Sequence, residues 1–250
     1  MKIHKLSQKE VERIIDNALE EDIGSGDVTT ESLFDENVEC KAVIIAKEAG
    51  VISGIDVARL VFEKLDNSLE WSPKKTDGDN LNVGDIIVEI SGNQKHILTA
   101  ERLALNILQR MSGISTLTSL YVNEVKGLDA KIVDTRKTVP GLRSLGKYAV
   151  TVGGGYNHRY GLFDGVMIKD NHIKLAGSIK SAVEKIRSKL GSKFKIEVET
   201  TNLDEVKQAL DSNADIIMLD NMSKEKMIEA VNLIDGNALV EASGGITLKT

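Results

Sequence analysis

The chain has 250 residues, 41% of them hydrophobic and 28% charged, with a formal net charge of −6 at pH 7. That acidic balance argues against non-specific binding to nucleic acid or to an anionic membrane surface. The single cysteine, Cys40, cannot form an internal disulfide, and no run approaches the roughly 18 apolar residues of a membrane span. The opening MKIHKLSQKEVERII also lacks the apolar run of a secretory signal. The expectation is a soluble cytoplasmic protein, with no nucleic-acid or membrane partner, long enough for one large domain or two smaller ones.

Ser7 and Glu10 form the pattern of a capping box, and Val11, Ile14, Ile15, Ala18 and Leu19 then recur at helical spacing. The helix is expected to end near Gly24. The loop EDIGSGDVTTESL carries Glu21, Asp22, Asp27 and Glu31 but lacks the alternating oxygen ligands of a calcium loop, so these acids read as turn and cap residues. Residues 38–92 read as short strands, interrupted by a helical segment over 56–65. The turn before each apolar run in DGDNLNVGDIIVEI resembles the half-repeats of lipoyl and biotinyl carriers, which present a lysine at a hairpin tip. Lys74 or Lys75 would be that lysine. A purely structural sheet is the simpler reading, because a carrier has no use for the basic segment further on.

A long apolar helical stretch follows, HILTAERLALNILQRMSGISTLTSLYVNEVKG. Thr99 is a candidate cap, Leu103, Ile107, Leu108 and Met111 form the buried face, and Gly113 is expected to break or bend the helix. The domain boundary is placed here, giving residues 1–110 and 111–250. Beyond it strand and helix alternate. Strands are expected over 131–134, 164–169, 194–199, 216–219 and 238–241. Helices are expected over 143–152, 178–190, 203–210 with Asn202 as cap, and 224–234 with Ser223 as cap. Such alternation indicates a parallel sheet, open or closed into a barrel.

Polar residues gather at the carboxyl ends of all five strands: residues 134–137, residues 169–172, Glu197 with Glu199 and Thr200, Asp220 with Asn221, and residues 243–245. Helix capping accounts for one or two such clusters, whereas a shared catalytic rim accounts for five. Charge points the same way. Residues 131–174 hold Lys131, Arg136, Lys137, Arg143, Lys147, Arg159, Lys169 and Lys174 against Asp134, Asp164 and Asp170, a local +5 in a chain of −6. Arg136, Lys137, Arg159 and Lys169 suit carboxylates or phosphates. Gly244 and Gly245, ahead of a helix expected to begin at Thr247, suit a phosphate. Glu199 and Asp220, on adjacent strands, suit magnesium, ribose hydroxyls or a developing positive charge. His158 and His172 lack zinc-ligand spacing. Lys169, closing the strand GVMIK, leaves a Schiff-base barrel aldolase as an alternative.

The block DTRKTVPGLR…GGGYNHRYGLFDGVMIKDNH, followed by KIEVET, IIMLDN and EASGGIT, resembles the quinolinate phosphoribosyltransferase (carboxylating nicotinate-nucleotide pyrophosphorylase) family. EDIGSGDVTT and TAERLALNILQRMSGIST resemble the same family, so the likeness covers nearly the whole chain. It implies an N-terminal open-faced α/β sandwich and a C-terminal open, seven-stranded α/β barrel. It implies homodimers, or hexamers built from them, in which Arg102 enters the neighbouring site. Thr135, Arg136, Lys137, His158 and Arg159 would line the quinolinate pocket. Lys169, Glu199 and Asp220 would surround the ribose and pyrophosphate, and Ser243, Gly244 and Gly245 would hold a phosphate. The catalytic set so implied is Lys137, Lys169, Glu199 and Asp220, with Mg2+ at Glu199 and Asp220, directly or through water. The implied reaction converts quinolinate and phosphoribosyl pyrophosphate into nicotinate mononucleotide, pyrophosphate and carbon dioxide. By the family's pattern a further helix and a glycine-containing strand follow SGGIT, so the barrel is expected to lack its last strand here.

Overall fold

A computed structural model of the chain describes residues 5–34 and 38–249 and divides into two compact units, Met1–His158 and Arg159–Thr250. The first four residues and Thr250, on which the readings of the opening segment and of the chain's end bear, lie outside the described residues.

The first unit runs α1 (Gln8–Ile23), α2 (Val28–Leu33), β1 (Glu39–Ile45), β2 (Gly50–Val51), α3 (Ile55–Leu65), β3 (Glu70–Pro73), β4 (Asn80–Leu81), β5 (Ile86–Asn93), α4 (Gln94–Glu124) and α5 (Arg143–Val152). Its main sheet is antiparallel in the order β1-β5-β3. Strand residues alternate faces. Cys40, Ala42 and Ile44 therefore pack on the core formed with α1, α3 and α4, while Glu39, Lys41, Val43 and Ile45 face outward. This is an open-faced sandwich, with helices on one side only. Phe62 of α3 meets Trp71 of β3 at a centroid distance of 5.3 Å.

Three local expectations are corrected here. Ser7 is the N-cap of α1 but its side chain makes no cap hydrogen bond; burial of Val11, Ile14 and Ile15 holds the helix instead. Thr99 does not cap α4. Asn93 does, its side chain accepting from Lys95 N at 2.9 Å. The Thr99 hydroxyl donates instead to Asp27, 3.2 Å away, the residue that caps α2 by accepting from Thr30 N at 3.0 Å. Nor does Gly113 break α4. A helical glycine costs about 1 kcal/mol against alanine, less than the burial of the apolar side chains of Ile107, Leu108 and Met111 just ahead of it returns. The carrier reading also fails, because Lys74 continues the ladder (Lys74 N to Ile87 O, 2.8 Å) and pairs with Glu89. Lys75 pairs with Asp85. Neither lysine occupies a hairpin tip.

The second unit runs β6 (Val166–Ile168), α6 (Asp170–Ala176), α7 (Ile179–Leu190), β7 (Ile196–Thr200), α8 (Leu203–Asp211), β8 (Ile216–Asp220), α9 (Lys224–Ile234) and β9 (Leu239–Ser243). Its four strands are parallel in the order β6-β7-β8-β9, part of an α/β barrel. Ser178, Asn202 and Ser223 cap α7, α8 and α9, each accepting the N–H of the third residue onward. Ile196, Val198, Ile217 and Leu219 are at most 1% exposed and form the core with these helices.

Residues 131–134 do not form the expected first strand of this sheet. Val133 makes an isolated parallel bridge to Tyr156 within the first unit. The short helix α6 has no counterpart in the sequence reading, having no periodic stretch long enough to announce it. Thr247 starts no helix among the described residues; its hydroxyl accepts from Lys249 N at 3.2 Å in a turn.

Candidate active site

Parallel registry determines which side chains share a face. Ile196, Val198 and Thr200 of β7 pack toward the helices, so Glu197 and Glu199 take the opposite face. Ile217 and Leu219 do the same for β8, leaving Met218 and Asp220 opposite. Asp220 pairs with Ser243, and Glu199 with Met218. The carboxyl ends of β6 to β9 thus bring Lys169, Glu199, Asp220, Ser243, Gly244 and Gly245 to one end of the second unit.

Lys169 Nζ lies 2.9 Å from Glu199 Oε2, with side chains 45% and 17% exposed, so this is a solvent-reachable pair rather than a buried strut. His172 Nδ1 accepts from Lys169 N at 2.9 Å and fixes the lysine's backbone at the start of α6. A Schiff-base lysine must be free to reach a substrate carbonyl, whereas this amine is tied to a carboxylate. The pair therefore removes the support for an aldolase.

Asn221, passed over as a functional residue in the sequence, ties the next two strand ends together. Its side chain donates to Asp220 Oδ2 at 2.8 Å and its N–H donates to Ser243 O at 2.8 Å. Gly244 and Gly245 adopt φ of +83° and +67°. A Cβ on Gly244 would lie 2.2 Å from Asn221 Oδ1, so both conformation and space require glycine there. Arg159 is held at the start of β6, its guanidinium donating to Gly165 O at 3.3 Å and meeting Met167 Sδ at 3.4 Å.

The remaining sequence-predicted residues belong to the first unit. Arg102 is exposed on α4. Thr135 Oγ1 accepts from Lys137 N at 3.0 Å, which folds the loop that carries Arg136 between them. Arg136 is half-buried, and its Nε is enclosed without a hydrogen-bond partner. A guanidinium N–H in that state is suited to receiving an anion. His158 is fixed by its backbone, its N–H donating to Asp134 Oδ1 at 2.9 Å. The charge count of the basic stretch misled at one position: Lys147 is 0% exposed and paired with Asp134 at 2.5 Å, so it is no part of an open cationic surface. No local pattern marks that burial, because helical spacing sets Lys147 about 160° from Leu145 and Ala149, the residues α5 packs on the apolar core.

Strand ends that gather a cation, two carboxylates and a Gly-Gly turn mark the rim of an α/β enzyme. Comparison with known proteins makes the class specific. Residues 27–112 match the N-terminal domain of quinolinate phosphoribosyl transferase and residues 114–250 match its C-terminal domain. The probable carboxylating nicotinate-nucleotide pyrophosphorylase of Bacillus subtilis is 42% identical over 245 residues, covering 98% of this chain and 84% of that protein. Its counterpart in Methanocaldococcus jannaschii is 41% identical, covering 94% and 84%. A solved nicotinate-nucleotide pyrophosphorylase from Francisella tularensis superposes with a TM-score of 0.93 at 42% identity, covering 98% of this chain and 87% of that one. This chain belongs to the quinolinate phosphoribosyltransferase family.

Proposed function

We propose that the chain transfers the phosphoribosyl group of phosphoribosyl pyrophosphate to quinolinate, with decarboxylation, in the biosynthesis of pyridine nucleotides. The family membership supports the reaction. The observation that carries the site is the Lys169–Glu199 pair standing one strand from Asp220, which is itself one strand from the Gly244 turn.

The pyridine nitrogen attacks the ribose anomeric carbon as pyrophosphate leaves, and positive charge builds on the ribose. Glu199 and Asp220 stabilise that charge, and Lys169 neutralises the departing phosphate. Ser243, Gly244 and Gly245 hold the 5′-phosphate, whose oxygens suit bare backbone N–H groups in a left-handed turn. Thr135, Arg136, Lys137, His158 and Arg159 bind the pyridine dicarboxylate, the two arginines offering planar forks that match carboxylates. Once the nitrogen is quaternary, the 2-carboxylate leaves as carbon dioxide, its bonding electron pair stays on C2 beside the cationic nitrogen, and a proton from solvent takes that pair. No protein nucleophile is needed.

Glu199 and Asp220 offer the hard oxygens magnesium takes, with Glu199 also paired to Lys169. These two carboxylates would hold the ion, directly or through water, and it would supply positive charge to the departing pyrophosphate. The reading includes a homodimer, or a hexamer of such dimers, in which the exposed Arg102 serves the neighbouring site. It also places the enzyme in the cytoplasm, in keeping with the unpaired Cys40. No described helix is long and apolar enough to cross a membrane.

The deciding experiment incubates the protein with quinolinate carrying a labelled 2-carboxylate, phosphoribosyl pyrophosphate and magnesium. Equal amounts of nucleotide and labelled carbon dioxide are expected. Nucleotide that keeps its label, or no product, would reject the assignment.

A further inference from the structure

A buried lysine holds the backbone of His158, and the reaction as described makes no use of it. Lys147 of α5 has no exposed side-chain surface, and its partner Asp134 is 7% exposed. Lys147 Nζ donates to Asp134 Oδ1 at 2.5 Å and to His158 O at 3.2 Å. Asp134 Oδ1 also accepts from His158 N at 2.9 Å, and Oδ2 accepts from Asn157 Nδ2 at 2.7 Å. The same Asn157 amide donates to Lys147 O at 2.9 Å. The His158 peptide is thus held at both its N–H and its C=O by one ion pair. Backbone bonds from Asp134 N to Tyr156 O and from Tyr156 N to Ile132 O, 3.0 and 2.9 Å, join the two segments alongside it.

The base of this network is tied to other segments. Ser115 of α4 donates to Ala149 O at 2.7 Å, and the Tyr148 hydroxyl donates to Asp77 at 2.9 Å. The chain turns back through Gly153, where a Cβ would lie 2.4 Å from Ser115 O. A buried ion pair is a poor device for stability, because well-packed apolar residues of similar volume often serve as well or better. It does impose a single geometry, which an anion pocket built from two separate segments requires.

We propose that Lys147 is a positioning residue: with Asp134 and Asn157 it sets the 135–137 loop and His158 in the arrangement that receives the two carboxylates of quinolinate. The proposal rests on the reading of Arg136, Lys137 and His158 as ligands of that substrate.

The test is the Asp134→Asn, Lys147→Met double variant, which removes both charges with little change of volume. Its Tm should stay within about 5 °C of wild type, while the KM for quinolinate rises about tenfold or more and that for phosphoribosyl pyrophosphate stays within about twofold. Normal Tm with an unchanged quinolinate KM would overturn the proposal, as would an equal rise in both KM values. If the double variant does not fold, Asn157→Ala decides. It keeps the ion pair and should raise the quinolinate KM alone, by about threefold or more; no selective rise would again overturn it. The wild-type chain in the same assay separates the two claims. No turnover by wild type rejects the reaction assignment and this proposal with it, whereas turnover by wild type with unaltered variants rejects the positioning role only.

Discussion

Single residues of this chain are under two kinds of constraint, conformational and electrostatic. Gly244 shows the first. A non-glycine residue at left-handed φ costs about 1–2 kcal/mol, and here a Cβ would also displace the Asn221 amide that bonds Asp220. Gly244→Ala should therefore raise the KM for phosphoribosyl pyrophosphate about tenfold or more, with the quinolinate KM little changed; initial-rate kinetics with each substrate varied would show it. Asp66 shows the second. The Ser68 hydroxyl, then the His96 ring, then the Ser68 backbone N–H hold its pKa at about 2, below the ordinary 3.8. A depressed carboxylate contributes stability that is complete above its unfolded pKa and is lost as pH falls through the folded value. Asp66→Asn should leave less of the wild-type Tm decline between about pH 4 and pH 2, as thermal melts across that window would reveal.

At the scale of elements, α4 is the spine of the first unit, and its boundaries are set by capping and burial rather than by propensity. Asn93→Ala should lower stability by about 1 kcal/mol. Thr99→Ala should cost less to α4 itself, since that hydroxyl serves Asp27 instead. Denaturant melts of the two variants would separate these effects. Gly113 is exposed, and a Cβ there meets nothing within 4 Å. Gly113→Ala should raise stability by up to about 1 kcal/mol, visible as a higher Tm with unchanged turnover. A different logic operates at α3, whose N-terminus is capped from a distance. Asp77 accepts from Gly54 N at 2.9 Å, from Ile55 N at 3.0 Å and from the Tyr148 hydroxyl at 2.9 Å. Burial first, and the Asp77 charge second, push the Tyr148 pKa up, so the phenol remains the donor in this bond across the physiological range.

For the whole molecule, the proposed function carries a consequence for subunit exchange, since it has Arg102 serve the neighbouring site. If the partner subunit's Arg102 completes each site, Arg102→Ala and Lys169→Ala should each be inactive alone. After subunit exchange an equal mixture should recover about a quarter of wild-type activity, because half the dimers are mixed and each holds one intact site. Recovery of nothing, with exchange verified by mass, would place Arg102 elsewhere.

The repeating parts of the fold were legible in the sequence. Asn202 and Ser223 announced α8 and α9, and the apolar runs announced β7 and β8, because caps and burial patterns are local properties of the chain. The positions of Lys169, Glu199, Asp220, Ser243 and the Gly-Gly turn at strand ends were legible for the same reason, as period-two alternation places them before any contact is known. Contacts between residues far apart in the chain were not. Nothing near Thr99 says that its hydroxyl turns to Asp27, 72 residues away, and nothing near Lys147 says that an ammonium is enclosed there. A cation is read as exposed until a carboxylate and a carbonyl, brought by other segments, are seen to compensate its burial. The sequence alone thus determined the family, the strand–helix alternation and the residue types at the rim. Only the tertiary structure decided which cations face solvent and which hold the frame, since desolvation and pairing depend on neighbours that folding supplies.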